Sequence, residues 1–132
     1  MVLTLEREGT IEEAYTKLCR KWQSLRQWLA RRYANGKVSD IEYIALVEQH
    51  RDGWPHMNIF VWSPHLCLDA QCDWRAVRRE MNQAAIRCGF GRRFWLDPIR
   101  DEDQAAGYLS KLMHEAEERR DGAAAEAAKP SQ

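Results

Sequence analysis

The sequence predicts an α+β fold: a ferredoxin-like antiparallel sheet with helices packed on it, in the order β-α-β-β-α-β-α. Three observations predict it. Ile11, Tyr15, Leu18, Trp22, Leu25, Leu29 and Tyr33 recur at three- and four-residue intervals, the apolar stripe of an amphipathic helix. Two runs dense in β-branched and aromatic residues, IEYIALVE (41–48) and HMNIFVW (56–62), flank QHRDGWP, whose Asp-Gly and Pro suit a hairpin connection. A second helical pattern then precedes another short apolar run, RRFWLDP.

Taken in order, LTL (3–5) is a short strand. Thr10 followed by Glu13 is a capping box that starts a helix at Ile11. ANGK closes that helix, with Gly36 free to take a left-handed conformation. The hairpin strands follow, then an irregular connection, SPHLCLDAQC. Asp73 caps the helix WRAVRREMNQAAIRC, whose apolar side is Trp74, Val77, Met81, Ala84 and Ala85. GFG ends it, and RRFWLDP is a strand stopped by Pro98. Asp101 and Gln104 form a cap-like pair ahead of the helix QAAGYLSKLMHEAEERR. Residues 1–120 read as one domain and 121–132 as a flexible, small-residue tail.

At 132 residues the chain is long enough to bury a real core. No apolar run is long enough to cross a membrane and the first residues do not resemble a signal peptide, so a cytoplasmic location is expected. Four cysteines then read as reduced thiols. A zinc site from His65, Cys67, Cys72 and Cys88 is conceivable, but its spacing is not a standard ligand pattern.

The net charge is zero, which argues against a chain that coats nucleic acid indiscriminately, yet the charges are unevenly spread. From Ala14 to Ser39 there are seven Lys or Arg and no acid; from Arg75 to Arg100 seven Arg face only Glu80 and Asp97. Such clusters form a phosphate-binding face or a solvated helix face, and charge alone does not choose.

If Glu48 lies opposite His56 in the hairpin, Leu46 faces Asn58 and Ile44 faces Phe60. Strand alternation then puts Glu48, His56 and Asn58 on one face and sends Met57, Ile59 and Val61 into the core. One carboxylate, one imidazole and one amide oxygen suit Mg²⁺ or Mn²⁺, which accept such donors and keep water positions open. Farther on, Tyr108 and Lys111 are three apart on a helix and share a face. Metal polarisation of a phosphate and a nearby cation would both help a phenol attack it. Gly107 removes bulk beside Tyr108.

Together, VEQHRDGWPHMNIFV and the later YLSK resemble the HUH endonucleases, the replication initiators of rolling-circle plasmids and single-stranded DNA phages. The resemblance runs from LTL through the last helix and is most specific between Glu48 and Val61, at GWPHMN above all. It implies an HUH-nuclease fold and a metal-dependent endonuclease that nicks and rejoins single-stranded or hairpin DNA at a replication origin. It implies roles for Glu48 as acidic ligand, His56 as first metal histidine, Tyr108 as nucleophile and Lys111 as its companion. Asn58 stands where the family carries a second histidine, and an amide is a weaker ligand for transition ions. His50 and His114 lie nearby in sequence as possible substitutes. The chain has no helicase domain, so host helicase and polymerase are the implied partners.

Arg51, Arg92 and Arg93 are candidates to grip phosphates, and Trp54, Trp62 and Trp95 to stack on unpaired bases. Trp22, Trp28 and Trp74, by contrast, lie on apolar helix stripes and read as core. Two alternatives share the residues: a DNA-binding module whose metal site has decayed, and a single-tyrosine HUH transposase. An RNA-binding domain fits less well, because its aromatic ribonucleoprotein motifs are missing from the strands.

Overall fold

In the computed structural model, which describes residues 1–66, 73–99 and 101–127, the Thr10 side chain accepts a hydrogen bond from the Glu13 backbone N–H. That cap opens helix α1 (Ile11–Tyr33) where the sequence places it. The helix closes through Gly36, whose φ of +82° lets its N–H reach back to the Ala30 carbonyl at 2.9 Å.

A short 3-10 turn, Val38–Asp40, leads into the hairpin of β2 (Glu42–Gln49) and β3 (Pro55–Trp62). Between them, Gly53 N–H bonds the His50 carbonyl and His50 N–H bonds the Trp54 carbonyl. Gly53 has φ +86°, so the loop is a tight turn closed by one left-handed residue. Asp73 then caps α2 (Trp74–Arg87), accepting from the Ala76 N–H at 3.2 Å.

The first strand, β1 (Val2–Leu3), and the last, β4 (Phe94–Trp95), are shorter than their apolar runs suggest. β1 pairs with β3 on one side and β4 on the other: Val2 lies opposite Asn58 and Trp95, Leu3 opposite Met57 and Phe94. Past Leu3 the chain still follows its neighbour, but through isolated contacts. Gly91 N–H bonds the Thr4 carbonyl, and Thr4 Oγ1 donates to the Arg93 carbonyl.

The result is an α+β arrangement with a four-stranded antiparallel sheet in the order β2-β3-β1-β4. β3 lies between β1 and β2, so α1 connects two strands that run parallel with a third inserted between them. The core gathers Leu3, Met57 and Ile59 from the sheet, Leu18, Trp22, Leu25 and Leu29 from α1, and Met81, Ala84 and Ala85 from α2. Both helices thus cover the same face. Trp22 meets Tyr43 edge to face, ring centroids 5.0 Å apart. Trp28 packs against the core as its periodicity predicts, whereas Trp74 is half-buried at the start of α2.

These elements belong to one unit, Met1–Asp97; the other is Pro98–Gln132. In the second, Asp101 Oδ1 accepts from the Gln104 N–H at 2.6 Å and α3 runs from Glu102 to Ala127. The helix therefore continues past Arg120 into the segment read as a flexible tail. The alanines from Ala123 explain this, since alanine loses the least on entering a helix. Among the described residues no helix is long and apolar enough to cross a membrane.

Candidate metal centre and nucleic-acid face

The ladder of β2 and β3 sets Glu48 opposite His56, Leu46 opposite Asn58 and Ile44 opposite Phe60, the pairing under which the three polar residues share one face. Met57 and Ile59 are buried under the helices. His56 and Asn58, one residue out of phase, project from the opposite face. Glu48 Oε2 and His56 Nε2 lie 3.0 Å apart, and both side chains are more than four-fifths buried, at 17% and 18% exposure.

His56 Nδ1 is buried and has no hydrogen-bond partner. An orphaned ring nitrogen is costly, and a ligand or ion that reached it would recover part of that cost. Asn58 is more enclosed, at 8% exposure, because Leu46 and Val2 flank it on the two neighbouring strands.

The tertiary structure adds His50. Its ring lies 4.9 Å from that of His56, centroid to centroid. His50 follows Glu48 by two residues, so strand alternation was the signal that puts it on the same face. Among the described residues, no three His, Cys, Asp or Glu side chains form a group able to hold a metal by themselves. The donors on this face are therefore a carboxylate–imidazole pair with an amide beside it. That set offers an ion one carboxylate oxygen and one imidazole nitrogen and leaves the remaining positions to water. It does not fit a closed zinc site. As for the alternative zinc ligands, His65 Nε2 is 3.2 Å from Asp40 Oδ2, while Cys67 and Cys72 lie outside the described residues.

Elsewhere the open face carries exposed aromatic surface. Trp62 is 62% and Trp95 53% exposed, and Ile44, opposite Phe60 on the edge strand β2, is half-exposed. The Arg78 guanidinium sits 4.8 Å over the Trp95 ring, and Trp95 Nε1 donates to Asp97 Oδ2. Arg51, Arg92 and Arg93 are all exposed.

Trp54 corrects the sequence reading. It is a core residue, 7% exposed, with its Nε1–H donated to the Leu5 carbonyl at 3.2 Å. The tight turn folds it back under the sheet, so it is not available to stack on a base.

Tyr108 and Lys111 lie one turn apart on α3, in the second unit. Tyr108 is half-exposed and Lys111 exposed. A Cβ added at Gly107 would meet nothing within 4 Å, so the space beside Tyr108 is open. One turn farther along, His114 Nε2 contacts Glu118 Oε1 at 3.0 Å on the same helix. The structure thus brings together Glu48, His50, His56 and Asn58 in one unit, and Tyr108 with Lys111 in the other.

No family model, curated protein or solved structure matches the chain.

Proposed function

We propose that this chain is the nicking and joining domain of a rolling-circle replication initiator of the HUH type, built on the ferredoxin-like strand order. The observation that carries the reading is the Glu48–His56 contact on the face turned away from α1 and α2, with an unpartnered imidazole nitrogen and Asn58 beside it. Glu48, His56 and Asn58 would hold Mg²⁺ or Mn²⁺. Such an ion, when bound, polarises a phosphoryl oxygen and offsets charge in the transition state.

Tyr108 is the nucleophile in this reading. Its phenolic oxygen attacks the scissile phosphorus, an O–P bond to tyrosine forms, and the bond to the 3′ oxygen breaks. The phenol proton leaves and the departing 3′ oxygen takes one up as a free hydroxyl. Lys111, on the same helix face, lowers the cost of the phenolate. Because the phosphodiester energy is kept in the tyrosyl link, the reverse step rejoins ends. Trp62 and Trp95 stack on unpaired bases, while Arg51, Arg92 and Arg93 hold the backbone. The substrate is single-stranded or hairpin origin DNA in the cytoplasm, with unwinding and synthesis supplied by host helicase and polymerase. A single-tyrosine transposase would use the same residues.

One observation favours a second reading, a DNA-binding module that does not cut. The described residues supply only two strong donors, and Asn58 is a neutral third. Incubation with single-stranded origin DNA and Mn²⁺, followed by a denaturing gel, separates the two. The nickase gives a covalent adduct that Tyr108→Phe and His56→Ala abolish. A protein that only shifts DNA reversibly is the binding module, and one that does neither overturns both.

A further inference from the structure

On the covered side of the sheet, α1 and α2 leave an open cleft of about 490 Å³ between them. Its walls are Ser24, Gln27, Trp28 and Arg31 from α1, with Arg87 and Cys88 at the end of α2. The α1 positions fall at the three- and four-residue spacing of one helix face, so the wall is continuous. No acidic residue lines it.

Of the eight other cations on these helices, four have a partner in the fold. Arg26 donates to the Val38 and Ile41 carbonyls, Lys21 to the Gly89 carbonyl, Arg32 pairs with Glu80, and Arg78 covers Trp95. Arg31 and Arg87 differ from the remaining four, Lys17, Arg20, Arg75 and Arg79, in lining this cleft. Among the described residues neither makes an ion pair or a side-chain hydrogen bond. Both are exposed. They also converge: burial pushes the Cys88 thiol up from its ordinary value, and both guanidiniums pull against that rise. Two unneutralised guanidiniums aimed at one cleft repel each other, and a shared anion relieves the repulsion.

We propose that this cleft is a second nucleic-acid contact, in which Arg31 and Arg87 hold a phosphodiester backbone on the side of the sheet away from Glu48 and His56. Ser24 and Gln27 supply neutral hydrogen-bonding groups to the same backbone, and half-buried Trp28 gives the cleft an aromatic wall. The contact reads no sequence, because phosphate oxygens are the same at every step. It stands whether or not the open face cuts DNA.

Fluorescence anisotropy on the full chain tests it, with one labelled single strand and one labelled duplex of unrelated sequence, across a salt series from about 50 mM. Charge reversal at both arginines (R31E with R87E) should weaken binding at least about tenfold at low salt and lower the salt slope by about two. The probe that responds shows whether single strand or duplex occupies the cleft. Neutral R31Q with R87Q should shift both quantities in the same direction by less, and guards against misfolding of the reversed variant. Unchanged affinity and slope on both probes would overturn the proposal. So would displacement of the DNA by polyglutamate as effectively as by unlabelled DNA, which would assign the cleft to an acidic protein. Adduct formation is read in a separate assay. An adduct-forming protein indifferent to the arginine changes therefore sinks only the cleft, and a protein that responds to them without forming adducts sinks only the nickase.

Discussion

The two faces of the sheet are built to different rules. The covered face is apolar at its centre, with Leu3, Met57 and Ile59 at 0%, 3% and 1% exposure beneath Leu18, Trp22 and Leu25. The open face alternates with it residue by residue along β3, yet it carries His56, Asn58, Phe60 and Trp62. Nothing in core packing calls for a histidine bonded to a glutamate there, nor for a tryptophan left mostly in solvent. The difference shows that one strand can serve two purposes at a period of two residues: the odd positions hold the fold, and the even positions are released for chemistry.

Substitutions can break or sharpen that contrast. The largest effect belongs to the covered face. Trp22→Ala should cost about 3–5 kcal/mol of stability in urea unfolding, because the cavity opens where α1 meets Tyr43. A loss below about 1 kcal/mol would mean that this face is not the core.

On the open face, Glu48→Ala removes the partner of His56 Nε2 and leaves the ring with neither nitrogen bonded, at a cost of about 1–3 kcal/mol. A double-mutant cycle with His56→Ala measures the coupling; additive losses would show that the pair does not act as a unit. Trp62→Ala should leave stability within about 0.5 kcal/mol while weakening single-stranded DNA binding by about 1–3 kcal/mol. If unfolding shifts and DNA binding does not, Trp62 is a packing residue after all.

Asn58→His replaces an amide with an imidazole and should tighten Mn²⁺ binding, read by calorimetry without DNA. Equal affinity in both proteins would place Asn58 outside the ion site. The smallest change is Gly107→Ala. It should raise the stability of α3 by about 1 kcal/mol, since the added methyl meets nothing. If the same variant also slows adduct formation, the open space beside Tyr108 is where DNA approaches.

Much of this was legible in the sequence because it depends on local rules. Thr10, Asp73 and Asp101 each cap the helix that follows by accepting from a backbone N–H three residues on. Once Glu48 is set opposite His56, as the ladder has it, alternation gives the side on which Glu48, His56 and Asn58 emerge. The lengths of β1 and β4 were not legible. A strand ends where its neighbour stops offering partners, and that is a property of the pair.

Trp54 shows the same limit at a single residue. Its neighbours Asp52, Gly53 and Pro55 announce a turn, and turns are commonly exposed. Only the folded chain reveals that this turn returns the indole to the Leu5 carbonyl, 49 positions away in sequence. His50 against His56, and Arg31 beside Arg87, are likewise meetings of residues whose separate contexts say nothing of each other.

By itself, then, the sequence determined the helix caps, the hairpin and the two-faced character of β3, because backbone hydrogen bonding and side-chain alternation act over a few residues. The tertiary structure alone decided which aromatic residues are enclosed, which ring nitrogen is left without a partner and which arginines share a cleft. Those outcomes depend on how distant segments compete for the same volume and the same charges, and no local pattern encodes that competition.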